Sequence, residues 1–110
     1  MKRLLVIDDD DIDREFLQRL LADSDETYEI VEAASGTEGM AMLEGNVFHC
    51  VFLDYLLPDM DGLAFIKKVK ERWGDASFPI LMLTGEGSEE VAVEAMKLGV
   101  TDYLVKTGPI

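Results

Sequence analysis

Short apolar runs alternate along the chain with longer stretches in which apolar residues recur every three or four positions. The first run, Leu4-Leu5-Val6-Ile7, is continuous and stops at a series of acids, which predicts a strand. Ile12, Phe16, Leu17, Leu20 and Leu21 follow at helical spacing, with Asp10 or Asp11 as the helix N-cap. Residues 28–33 predict a second strand and Ser35-Gly36 a break. Residues 37–43 predict a short helix, weakened by Gly39 and ended by Gly45. Residues 50–53 predict a third strand, apolar throughout, as expected when both faces are covered. Residues 54–62 read as a loop, marked by Pro58 and the turn residues from Asp59 to Gly62. Leu63, Ile66, Val69 and Trp73 share one face of a third helix that Gly74 ends. Residues 79–83 predict a fourth strand. Ser88 is placed to cap a fourth helix, with Glu89 and Glu90 suiting the positive end of its dipole. Val91, Ala95 and Leu98 form its inner stripe and Gly99 its end, and residues 103–105 predict a fifth strand.

Strands separated by helices of this length build βαβ units with right-handed crossovers. The expected fold is therefore α/β, a single doubly wound sheet of five parallel strands. At 110 residues one domain is expected, spanning 1–110. Thr107-Gly108-Pro109-Ile110 leave no room for a helix after the fifth strand, so the sequence reads as trimmed there, or as a domain cut from a longer chain.

Composition narrows the classes. Apolar residues make up 48% and charged residues 30%, as in a soluble globular domain. The formal net charge of −13 disfavours nucleic acid as a partner, because Lys and Arg are too few to displace phosphate counterions. Cys50 is the only cysteine, so no internal disulfide forms, and its place at the start of an apolar run fits a buried small hydrophobe. Four apolar residues after Met1-Lys2-Arg3 fall short of a signal peptide, and no stretch approaches the roughly 20 residues of a membrane span. The simple reading is a cytoplasmic domain with no membrane contact.

The chemistry gathers at one end of the predicted sheet. Asp8, Asp9, Asp54, Thr84 and Lys106 each stand at the carboxyl end of a predicted strand, where α/β sheets bind ligands. Three carboxylates brought together repel by about 1–4 kcal/mol per pair at 4 Å. A divalent cation relieves that repulsion, and a small set of hard oxygen ligands suits Mg²⁺ with phosphate as co-ligand. Asp54 fits a third metal ligand, a nucleophile or both. Lys106 can neutralise phosphate oxygens, and Thr84 can donate its hydroxyl to one. Each residue also has a plainer role: Asp8 and Asp9 as a capping turn, Asp54 as a turn residue, Thr84 as a cap, Lys106 as an ion-pair partner. Taken together they make a phosphoryl-transfer set, in which a carboxylate nucleophile passes through an aspartyl-phosphate.

Four stretches occur in order: Leu4-Leu5-Val6-Ile7-Asp8-Asp9-Asp10, the segment from Val51 through Asp54 and Pro58 to Gly62, Pro79-Ile80-Leu81-Met82-Leu83-Thr84-Gly85, and Asp102-Tyr103-Leu104-Val105-Lys106. They cover essentially the whole chain, which resembles a receiver domain of two-component response regulators. The resemblance implies a flavodoxin-like strand order 2-1-3-4-5, with the family's final helix missing here. It implies that Asp54 accepts a phosphoryl group from the phosphohistidine of a histidine kinase or phosphotransfer protein. Asp8, Asp9, Asp54 and the backbone carbonyl of Leu56 would hold Mg²⁺. Thr84 would move toward the phosphoryl group and Tyr103 rotate inward, switching a surface read by an effector domain or downstream protein. The domain would not be an enzyme beyond supporting its own phosphotransfer and autodephosphorylation. Leu56 and Glu86 would flank the path of the attacking water, and Leu56 cannot orient that water by a side-chain hydrogen bond. Slow autodephosphorylation is expected. The chain departs from the family at Thr107, where most members carry proline after the lysine, so a trans bond and a shifted loop path are expected.

Rival readings have their own tests. An aspartate-nucleophile phosphohydrolase resembling the haloacid-dehalogenase family would use Asp8-Asp9-Asp10 as its D-x-D motif and leave Asp54 idle. A pseudo-receiver would serve as an interaction module without phosphorylation. His49 precedes the third strand, at the wrong end to act with the acids, and reads as a surface or half-buried histidine. Asp59-Met60-Asp61-Gly62 resembles part of a calcium loop, but the twelve-residue register fails at Leu57 and Lys68.

Overall fold

The computed structural model of the chain describes residues 2–23, 27–74, 78–84 and 89–105. Strands and helices alternate: β1 (Lys2–Ile7), α1 (Asp11–Ala22), β2 (Tyr28–Ala33), α2 (Gly36–Leu43), β3 (Cys50–Asp54), α3 (Gly62–Trp73), β4 (Ile80–Thr84), α4 (Glu89–Lys97) and β5 (Asp102–Val105). The strands form one sheet in the order β2-β1-β3-β4-β5, and every pairing is parallel. The α/β class, the five strands and their order agree with the reading above.

Because successive side chains of a strand point to opposite faces, each strand contributes to two layers. Leu5 and Ile7 of β1, Val51 and Leu53 of β3, and Ile80 and Met82 of β4 share one buried cluster with Leu43 of α2, Phe65, Ile66 and Val69 of α3, and Ala95 of α4. The alternate residues Leu4 and Val6 are also buried, as is Leu17 of α1. Apolar runs without polar alternation are the consequence of burying both faces.

Helix ends follow the punctuation in the sequence. The Arg14 N–H donates to the Asp10 carbonyl, which makes Asp10 the residue before the first turn of α1. Gly74 ends α3 with φ +75°, and its N–H donates to the Lys70 carbonyl at 2.8 Å. Gly39 has a use that its helix propensity hides. A Cβ there would lie 2.6 Å from Ile7 Cδ1, so glycine lets α2 approach β1 closely. Ser88, the expected cap of α4, lies outside the described residues. Among the described residues, no helix is long and apolar enough to cross a membrane.

Candidate functional site

Sheet register brings the acids together. Ile7 pairs with Leu53, so Asp8 and Asp54, the next residue on each strand, stand side by side. Leu83 pairs with Asp54, which puts Thr84 one step beyond it on the neighbouring strand. One carboxylate oxygen from each of Asp8, Asp9 and Asp54 lies within 4.8 Å of the others. Asp8 and Asp54 are 3% and 8% exposed, while Asp9 is open to solvent, so access is from the Asp9 side. Thr84, the last residue of β4, is 1% exposed.

The donor set fits a small divalent cation. Ligand oxygens on one octahedral Mg²⁺ stand roughly 3 Å apart when adjacent and 4 Å when opposite, so the three acids need close only slightly. Asp8 is already oriented: its Oδ1 accepts the Asp10 N–H at 2.9 Å. Its backbone carbonyl accepts from Arg14 Nη1 at 2.6 Å.

The loop after Asp54 is closed on itself and tied at both ends. The Tyr55 N–H donates to the Leu83 carbonyl at 2.8 Å, and the Gly62 N–H to the Tyr55 carbonyl at 2.6 Å. Leu56 pairs with Asp61 in a single antiparallel bridge. Asp61 caps α3 by accepting the Ala64 N–H at 2.8 Å. A Cβ on Gly62 would lie 3.1 Å from Tyr55 Cα and 3.3 Å from the Asp54 carbonyl oxygen, so glycine is required where α3 begins against the site. The loop tip is held by Asp59, whose carboxylate accepts the Gly36 N–H at 2.9 Å, the Thr37 N–H at 2.8 Å and the Thr37 hydroxyl at 2.6 Å. With Ser35 Oγ accepting the Glu38 N–H, the opening amides of α2 are satisfied by side chains. The Thr37 hydroxyl first, and then the Gly36 N–H, lower the Asp59 carboxyl to about 2.

Of the other residues singled out from sequence, Leu56 carries a side chain that is 59% exposed. Tyr103 of β5 packs against the core, and its hydroxyl is buried with no hydrogen-bond partner among the described residues. Lys106, Thr107 and Glu86 lie outside the described residues. His49 joins the opposite end of the sheet: its Nδ1 accepts the Arg3 N–H at 3.0 Å and its own N–H donates to the Arg3 carbonyl at 2.8 Å. Cys50 is half-buried, and desolvation raises its thiol above the ordinary value, which disfavours the thiolate. Arg14 and Asp59 were missed as contributors to the site. The one signal for Arg14 is a lone cation within the acidic run from Asp8 to Glu15. Asp59 offered none beyond its place beside Pro58.

Comparisons with known proteins agree with this arrangement. A family profile described as the response regulator receiver domain matches residues 4–109. The chain is 38% identical over 103 residues to the transcriptional regulatory protein SrrA of Staphylococcus aureus (strain NCTC 8325 / PS 47), covering 94% of this chain and 41% of that protein. It therefore spans about two fifths of the length of that curated relative. Chemotaxis response regulator CheY4 of Vibrio cholerae superposes with a TM-score of 0.84 at 35% identity, over 96% of this chain and 87% of that one. A response regulator protein from Burkholderia pseudomallei, whose crystal structure holds a phosphorylated aspartic acid, a calcium ion and citrate, superposes with a TM-score of 0.83 at 30% identity, over 98% of this chain and 61% of that one. On its sequence, its strand order and the placement of its acids, the chain belongs to the response regulator receiver domain family.

Proposed function

We propose that this domain is a phosphoacceptor in which Asp54 takes a phosphoryl group from the phosphohistidine of a histidine kinase or phosphotransfer protein. The observation that carries the reading is the convergence of the Asp8, Asp9 and Asp54 carboxylates within 4.8 Å, at the carboxyl ends of adjacent strands. A carboxylate oxygen of Asp54 attacks phosphorus in line, the phosphorus–nitrogen bond to the donor histidine breaks, and the imidazole leaves with the electron pair. Asp8, Asp9, Asp54 and the Leu56 carbonyl would hold Mg²⁺, which would supply charge neutralisation at the phosphoryl oxygens. The Thr84 hydroxyl donates to a phosphoryl oxygen, and the Lys106 ammonium neutralises another. Tyr103 follows Thr84 and rearranges the surface at β5. The phosphorylated aspartate and calcium ion in the Burkholderia relative support both the acceptor and the metal.

That surface is read by an effector domain or a downstream protein, in the cytoplasm. A net charge of −13 argues against nucleic acid or an anionic membrane as the direct partner of this domain. Incubation with acetyl phosphate and Mg²⁺, followed by intact mass measurement, tests the acceptor. One phosphoryl group is expected on the wild type, none on Asp54→Asn, and none when the metal is chelated. An unlabelled wild type points to a phosphorylation-independent interaction module. Turnover of a free phosphoester points to a hydrolase.

A further inference from the structure

Arg14 has no part in the phosphoryl transfer set out above, yet it is bonded to the backbone of one of the pocket's acids. Its side chain is 14% exposed. Nη1 donates to the backbone carbonyl of Asp8 at 2.6 Å, Nη2 donates to the Asp11 carboxylate, and Nε lies 3.3 Å from Glu32 Oε1 of β2. One guanidinium thus joins α1, the end of β1 and β2. Through Asp8 it touches the residue whose carboxylate faces Asp9 and Asp54.

We infer that Arg14 is a resident counter-charge for the metal-free pocket, holding the turn from Asp8 to Asp11 closed before a divalent cation arrives and weakening that cation's binding once it does. The inference rests on the reading of Asp8, Asp9 and Asp54 as the metal ligands. A guanidinium stays charged at any pH the fold survives, and its planar fork is locked when it binds a carbonyl and a carboxylate together. Its field offsets part of the repulsion among the acids. The same field opposes Mg²⁺, which has the same sign of charge. Removing the guanidinium also leaves Asp11 and Glu32 without their cation, and their charge then adds to the attraction for Mg²⁺. The metal-free state should lose stability while the metal-bound state holds its cation more tightly. An arm that served only to brace the turn would act the other way: its loss would misplace Asp8 and weaken Mg²⁺.

The opposite signs make the test decisive. Mg²⁺ alone is titrated calorimetrically into the 110-residue chain as wild type, Arg14→Met and Arg14→Lys, in phosphate-free buffer. Arg14→Met is expected to bind Mg²⁺ about threefold to tenfold more tightly than wild type, given unit charges close to the site. Arg14→Lys keeps the charge and is expected to stay near the wild-type affinity. The melting temperature of Arg14→Met should fall in chelator and recover as Mg²⁺ saturates. Should Arg14→Met fail to fold, Arg14→Gln, which loses the charge and keeps a hydrogen-bonding head, is read in the same way. Unchanged or weaker Mg²⁺ binding in the neutral variant overturns this inference alone. Absence of Mg²⁺ binding by the wild type overturns the metal reading of the acids and this inference with it.

Discussion

The Tyr103 hydroxyl is buried without a hydrogen-bond partner among the described residues, while its ring packs against the core. A buried, unsatisfied hydroxyl costs about 1–3 kcal/mol. Tyr103→Phe removes that oxygen and keeps the ring, so the unphosphorylated domain is expected to gain roughly 1 kcal/mol, read as a higher urea midpoint at unchanged slope. A lower midpoint would mean that the hydroxyl is satisfied in solution. The place of Tyr103 in the fifth strand is legible from sequence; the orphaned oxygen is not, because it depends on which neighbours surround it. Leu56 is the contrasting case. Its side chain is 59% exposed beside the loop that leaves Asp54, so Leu56→Asn should change stability by no more than about 0.5 kcal/mol. Asparagine can orient a water where leucine cannot. The expected outcome is a severalfold shorter phosphoryl half-life on Asp54, followed by loss of label after the donor is removed. An unchanged half-life counts against Leu56 as a tuning position.

The segment between β3 and α3 behaves as an element in its own right, because Asp59 clamps its tip to the start of α2. The Asp59 carboxyl is lowered from an ordinary 3.8 to about 2, so the folded state prefers the ionised form. The stabilisation is therefore complete above the ordinary value and is lost as pH falls from about 4 toward 2. Thermal unfolding of wild type and Asp59→Ala across that range isolates the effect from the other titrating acids. The gap in melting temperature should be constant above about pH 4 and close below it; a gap independent of pH would show that the carboxylate charge is not what holds the clamp. Elements of this kind mark the limit of the sequence reading. Strand and helix positions are legible from apolar spacing: residues 28–33 match β2 at both ends, and β3 runs one residue past the expected 50–53, to Asp54. The fourth strand begins at Ile80 rather than Pro79, since proline lacks the N–H for the ladder, although its carbonyl accepts from Val51. Gly39 read as a weakness of its helix, whereas contact with Ile7 makes it the condition for packing α2. Tertiary contacts decide such positions, and spacing along the chain does not encode them. The acids of the site were legible because a parallel sheet gathers strand ends automatically; Arg14 and Asp59 act across elements and were not.

At the scale of the molecule, the parallel topology gathers acids at one end of the sheet. Every strand finishes, and every following helix begins, on the same side. That side carries Asp8, Asp9, Asp10 and Asp11, Asp54, Asp61, and Glu89 and Glu90 at the start of α4. Acids at helix starts complement the dipoles, and they also deepen the negative potential around the pocket. The opposite end is mixed: Lys2, Arg3 and the last-turn cations Arg19, Lys70, Arg72 and Lys97 stand there with Glu44 at the end of α2, Glu71 at the end of α3 and Asp102 at the start of β5. Repulsion within the acidic end is a standing cost to the fold. Carboxylates within 4.8 Å of one another are closer than the roughly 10 Å screening length at 0.1 M salt, so monovalent ions relieve little of it. A cation that enters the pocket relieves it directly and, by binding only the folded state, stabilises by about 2.7 kcal/mol at a hundredfold excess over its dissociation constant. Mg²⁺ should therefore raise the melting temperature well beyond NaCl at matched ionic strength, and chelation should reverse the gain. In Asp54→Asn, with one ligand charge removed, the response to Mg²⁺ should shrink. Equal responses to Mg²⁺ and NaCl in the wild type would show that the acidic end is screened from outside rather than filled, which would separate the charge asymmetry of the fold from the pocket at its centre.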